Sequence, residues 1–91
     1  MNQKLQMSSD IKIDLERVKQ DLYDLARFGY NAEDQGIYRQ GFSDEDMKAR
    51  HWLTDKMEGY GLDVSMDGAG NVCGRYGDPQ HKTLLIGSHL D

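Results

Sequence analysis

The 91-residue chain holds one cysteine, one proline, one tryptophan and two phenylalanines, with five tyrosines beside them. A lone cysteine, Cys73, cannot close an internal disulfide, which excludes the disulfide-stapled secreted scaffolds. Large side chains are scarce and the hydrophobic fraction is 37%. A chain of this length buries only about 60 to 65% of its unfolded surface, so its core is expected to be marginal. No apolar run approaches the ~18 residues of a membrane-spanning helix, and the first dozen residues lack the apolar centre of a secretory signal. Acidic residues outnumber basic ones, 16 against 11, for a net charge of -5. The usual electrostatic footprint of nucleic-acid or anionic-membrane binding is therefore missing. The chain reads as cytoplasmic, without a membrane segment, too short for several domains and open to a small neutral or metal-assisted substrate.

What is present has a clear order. Residues 1–10 carry no strong period and are expected to form a flexible amino terminus. Ile11, Leu15, Val18, Leu22 and Leu25 recur at steps of four, three, four and three, which predicts a helix with one apolar stripe ended by Gly29. The stretch YNAEDQGIYRQGF, 30–42, has turn formers without a period and is expected to be a loop. Ser43 followed by Asp44, Glu45 and Asp46 predicts a capped helix start, with acids at the positive end of the dipole. The second helix runs to Tyr60, with Ala49, Trp52, Leu53, Met57 and Tyr60 as its buried stripe and Gly61 as its left-handed cap. The pattern then alternates. Leu62, Val64 and Met66 face one way, GAGN at 68–71 turns the chain, and VCGRY resumes it, so 62–76 predicts a β-hairpin. Cys73 would alternate into a hairpin face as a small hydrophobe. TLLIGS, 83–88, is a short continuous apolar run, the signature of a strand covered on both faces.

Chemistry concentrates just after that run, in LLIGSHLD. Ligands in open sheets bind beyond the carboxyl ends of strands, and alternation places His89 and Asp91 on one side of the chain there. A metal-binding imidazole commonly donates its other N–H to a carboxylate. By spacing alone the pair reads first as a surface histidine beside an acid, and the metal-binding reading comes second. The remaining candidate ligands, His51, His81 and Cys73, do not converge with His89: His51 falls on the solvent side of the second helix, His81 lies in a turn beside Pro79, and an extended run separates His81 from His89. Ser43 to Asp46 is explained by the helix start, and Gly68, Gly70 and Gly74 fall in a hairpin instead of a phosphate-binding strand-to-helix loop.

GLDVSMDGAGNVCGRYG followed by LLIGSHLD, with GIYRQGFSDEDMKARHWL and ARFG before them, resembles the zinc-dependent amidohydrolases that include N-carbamoyl-L-amino acid hydrolase, allantoate amidohydrolase and beta-ureidopropionase. These are relatives of aminoacylases and di-zinc carboxypeptidases. The resemblance runs from about residue 15 to residue 91. It implies an α/β fold in which 11–91 is the amino-terminal part of a di-zinc peptidase-like catalytic domain (helix, helix, β-hairpin, buried strand), truncated at the metal site and without the lid and dimerisation domain. It implies two divalent metal ions, zinc, manganese or another, with His89 as a ligand to one and Asp91 orienting and polarising it. It further implies a homodimeric enzyme hydrolysing a non-peptide C–N bond in a small ureido or carbamoyl substrate, and inactivity of these 91 residues alone. Arg39 lies in the resembling segment without an assigned role. The alternative class is a small non-catalytic binding module that presents an apolar surface to a partner chain.

Overall fold

The computed structural model describes residues 11–91, so the expected flexible segment 1–10 lies outside the described residues. Two helices and two small antiparallel sheets form a mixed α/β arrangement in the order helix α1 (Leu15–Ala26), strands β1 (Tyr30–Asn31) and β2 (Gly36–Ile37), helix α2 (Asp44–Gly59), and strands β3 (Asp63–Met66) and β4 (Val72–Arg75). No described helix is long and apolar enough to cross a membrane.

Helix α1 begins four residues after Ile11 because Asp14 caps it, its carboxylate accepting from the Arg17 amide at 3.1 Å. Its apolar stripe is not buried as expected: Ile11 is 77% exposed and Leu15 and Leu22 are 63% and 62% exposed. A different face meets α2. Asp21 pairs with Lys56 at 3.2 Å, and the Arg17 guanidinium lies 4.9 Å from the centre of the Tyr60 ring. The helices are thus joined by charge and cation–π contact, and of the apolar stripe only Leu25 is half-buried, the rest lying open.

Helix α2 follows its sequence signals closely. The Ser43 hydroxyl accepts from the Asp46 amide at 3.3 Å. At the other end the Leu62 amide donates to Met57 O and the Gly61 amide to Glu58 O. Gly61, at φ +83°, supplies the left-handed residue that this Schellman ending requires. Ala49 is fully buried, Trp52, Leu53 and Met57 are half-buried, and Tyr60 lies half open at 50%. Helix α2 packs against both strands of the β3–β4 hairpin. That hairpin has the expected position, with Asp63 opposite Arg75, Val64 opposite Gly74, Ser65 opposite Cys73 and Met66 opposite Val72. Cys73 is exposed, not buried, because it takes the solvent face of the hairpin with its partner Ser65.

Two segments depart from expectation. The loop 30–42 contains the short β1–β2 ladder, Tyr30 opposite Ile37 and Asn31 opposite Gly36. Its turn is made by side chains: Asn31 accepts from the Glu33 amide and Asp34 from the Gly36 amide, each at 2.9 Å. TLLIGS forms no strand, and Leu84, Leu85 and Ile86 are 85%, 82% and 84% exposed. An apolar run becomes a covered strand only beside other strands, and β3 and β4 pair only with each other among the described residues.

Two outcomes are expected. With Ala49 the one fully buried apolar residue among those described and Leu84 to Ile86 open, the 91-residue chain alone should melt broadly and self-associate. Circular dichroism and size-exclusion chromatography check this; Leu85→Lys should shift the chain toward monomer, and a sharp melt of clean monomer would contradict it. The second concerns the hairpin turn, where the Asn71 side chain, and then its backbone amide, hold the Asp67 carboxyl below the ordinary aspartate range. A depressed acid stabilises above its unfolded value and loses that contribution as pH falls through the folded one. The Asn71 amide resonance should therefore titrate with a midpoint below the ordinary aspartate range, and Asp67→Asn should abolish the titration.

Candidate functional site

Asp67 organises the turn that forms one wall of the site. Its Oδ1 accepts from the Ala69 and Asn71 amides and its Oδ2 from Asn71 Nδ2, all at 2.9 Å. Gly70 is buried at φ +81°, and a side chain there would strike Arg50 and the Phe42 ring. Arg50 reaches across from α2 and donates through Nη1 to Gly70 O. Its Nε donates to Asp46 Oδ2 at 2.9 Å, and its guanidinium lies 5.1 Å from the centre of the Phe42 ring. Asp46 is wholly buried. Its Oδ2 also accepts from the Phe42 amide at 2.8 Å, while Oδ1 has no hydrogen-bond partner among the described residues. By sequence Asp46 belongs to the acidic first turn at the helix dipole; the i,i+4 spacing to Arg50 is the signal in the sequence for this second role.

The carboxyl-terminal segment completes a cavity of about 170 Å³: Arg50, Leu53, Gly70, Asn71 and Val72 form one side, and Ser88 to Asp91 the other. From Tyr76 to Asp91 only Leu90 is half-buried. It is the point where this segment meets the body of the chain. Arg39 donates there, from Nε to Leu90 O at 2.9 Å. The same guanidinium donates through Nη1 to Leu25 O at 2.8 Å and Phe28 O at 3.2 Å, at the end of α1.

His89 and Asp91 lie beside each other outside any strand, and the nearer contact is to the main chain. His89 Nδ1 is 2.8 Å from the main-chain oxygen of Asp91 and 3.9 Å from its carboxylate Oδ1. A main-chain oxygen only accepts, so in the neutral ring the proton sits on Nδ1 and the lone pair on Nε2. That is the tautomer and the kind of partner found behind metal-binding imidazoles. The ring is exposed, with 82% of its side-chain surface accessible. His51, His81 and Cys73 are exposed elsewhere, His81 standing 3.9 Å from Asp78 within its own turn. Among the described residues no three His, Cys, Asp or Glu side chains gather as a metal cage. A larger hollow of about 310 Å³, lined by Trp52, Asp55, Lys56, Gly59 and Tyr60, has no imidazole or thiol, and its one cation is engaged by Asp21.

Comparison with known proteins identifies relatives of one chemical kind. The chain is 36% identical over 78 residues to the N-carbamoyl-L-amino acid amidohydrolase of Geobacillus stearothermophilus, an alignment covering 84% of this chain and 19% of that protein. It is 34% identical over 83 residues to the N-carbamoyl-L-amino-acid amidohydrolase of Pseudomonas sp. (strain NS671), covering 89% of this chain and 20% of the relative. With the allantoate amidohydrolase of Bacillus subtilis it shares 35% identity over 69 residues, 74% of this chain and 16% of that protein. No family model and no solved structure matches. The chain spans no more than about a fifth of the length of these curated relatives. Over that span, it belongs to the family of the N-carbamoyl-L-amino acid and allantoate amidohydrolases.

Proposed function

We propose that these residues are part of a metal-dependent amidohydrolase that cleaves a non-peptide C–N bond in a linear carbamoyl or ureido compound, such as an N-carbamoyl amino acid or allantoate. The observation that carries this is the kinship, over at least 74% of the chain, with three enzymes named for that chemistry. In this reading 11–91 is a portion of a di-zinc peptidase-like catalytic domain in a cytoplasmic homodimer, and other parts of the enzyme supply the remaining ligands. The 91 residues alone would be inactive.

The donor set fits a share in such a centre. His89 would hold one of two divalent ions, zinc, manganese or another, through Nε2, since Nδ1 is committed to the Asp91 main-chain oxygen. Metal ions in such a centre polarise the scissile carbonyl and activate water. Asp91 contributes in two ways. Its main-chain oxygen fixes the tautomer, and its carboxylate, 3.9 Å from Nδ1, adds negative charge that makes the ring a better donor. The polar wall from Asn71 to Arg50 then bounds the space beside the imidazole. A second reading, a binding module without catalysis, is favoured by one observation, the open apolar run Leu84 to Ile86.

The experiment is metal analysis and turnover on the chain as encoded in full. Metal content after dialysis should fall in the order wild type, Asp91→Asn, His89→Ala, with hydrolysis of N-carbamoyl amino acids or allantoate following it. Because Asp91→Asn keeps the main-chain acceptor, its loss should sit near the lower end of the roughly 10 to 100-fold expected for an orienting partner. Full metal content and normal turnover in His89→Ala would remove the ligand assignment, and chelator-insensitive behaviour throughout would favour the binding module.

A further inference from the structure

We propose that Arg39 is a positioning residue that sets the peptide unit between Leu90 and Asp91, and through it the orientation of the His89 ring. This rests on the reading of His89 as a metal ligand.

The imidazole is held by the main-chain oxygen of Asp91, so its direction depends on where the chain places that residue. The peptide unit leading into Asp91 begins with the Leu90 carbonyl, and Arg39 Nε grips that carbonyl at 2.9 Å. Rotation of this unit would break the bond. The grip is anchored at its other end, because Arg39 Nη1 donates to Leu25 O and Phe28 O. These carbonyls lie at the negative end of α1, whose last turn has no basic residue of its own, and a cation is favoured there. One half-buried guanidinium thus connects a helix end to the candidate ligand segment. A planar fork can donate in both directions at fixed spacing, whereas an ammonium is a point charge on a flexible stem. Gly41, two residues on, bounds Asp91 from the same loop: a Cβ built there would stand 2.9 Å from Asp91 Oδ2. Loop 39–41 therefore meets both residue 90 and residue 91.

The test uses the chain as encoded in full, with Arg39→Lys and Gly41→Ala as variants, Asp34→Asn as a control within the neighbouring turn, and His89→Ala as the ligand control. Zinc affinity by chelator competition, amide exchange at 89–91 and the melting temperature of the metal-free protein are read together. Arg39→Lys should speed exchange at 89–91 by about tenfold and weaken zinc binding by roughly 10 to 100-fold, while its metal-free melting temperature stays with that of Asp34→Asn. Asp34→Asn should leave zinc affinity unchanged. Wild-type exchange and affinity in Arg39→Lys, or an equal loss in Asp34→Asn, would overturn the proposal. Should Arg39→Lys fail to fold, Gly41→Ala decides: weakened zinc binding supports the role of the loop, and wild-type binding overturns it. If His89→Ala retains zinc, the ligand reading has failed instead, and the exchange rates at 89–91 alone decide whether Arg39 sets the segment.

Discussion

A wholly buried carboxylate with one partnered oxygen is the constraint around which this chain is arranged. Asp46 receives the Phe42 amide and the Arg50 guanidinium on Oδ2, and Arg50 carries the connection on to Gly70. The start of α2, the chain before it and the hairpin turn are therefore joined through two side chains. Removing one member of a buried pair typically costs about 3–5 kcal/mol, since the other is left charged and unpaired. With so little apolar surface buried among the described residues, such a pair carries more of the positional information than it would in a large core. Phe42 illustrates the substitution: it is 67% exposed, yet its ring contacts the guanidinium and its amide contacts the carboxylate.

The legible parts of the fold are those whose signals are local. Ser43 and Gly61 bracket α2 because caps act within a turn, and the hairpin follows from alternation and the demands of the 67–71 turn. The illegible parts depend on partners elsewhere. Periodicity found α1, yet a stripe of Leu15, Val18 and Leu22 says only which side could be buried, and Arg17 and Asp21 determine which side meets α2. TLLIGS has the composition of a covered strand and lacks the neighbours that would make it one. The β1–β2 ladder has no sequence signature, because two residues per strand leave no period to detect.

The site divides along the same line. The spacing of His89 and Asp91 makes them neighbours, but it does not specify that the main-chain oxygen, and not the carboxylate, faces Nδ1 most closely. Arg39 offered no pattern at all, being a single cation in a loop whose partners lie 11, 14 and 51 residues away. Asp46 was visible, but the dipole account of an acidic first turn was sufficient, so nothing called for another role. Kinship carries the proposed reaction class, and the geometry adds the contact at Nδ1 and the supports behind it.

The exposed Cys73 gives the molecule a practical property. As the sole thiol in the sequence, on the open side of the hairpin, it accepts one spectroscopic label without any engineered substitution. Its neighbour Val72 lines the cavity shared with His89, so a nitroxide on Cys73 would stand one residue from that wall. A paramagnetic ion introduced near the imidazole would then broaden the nitroxide signal in a distance-dependent way, turning the hairpin into a built-in ruler for events at the far side of the cleft.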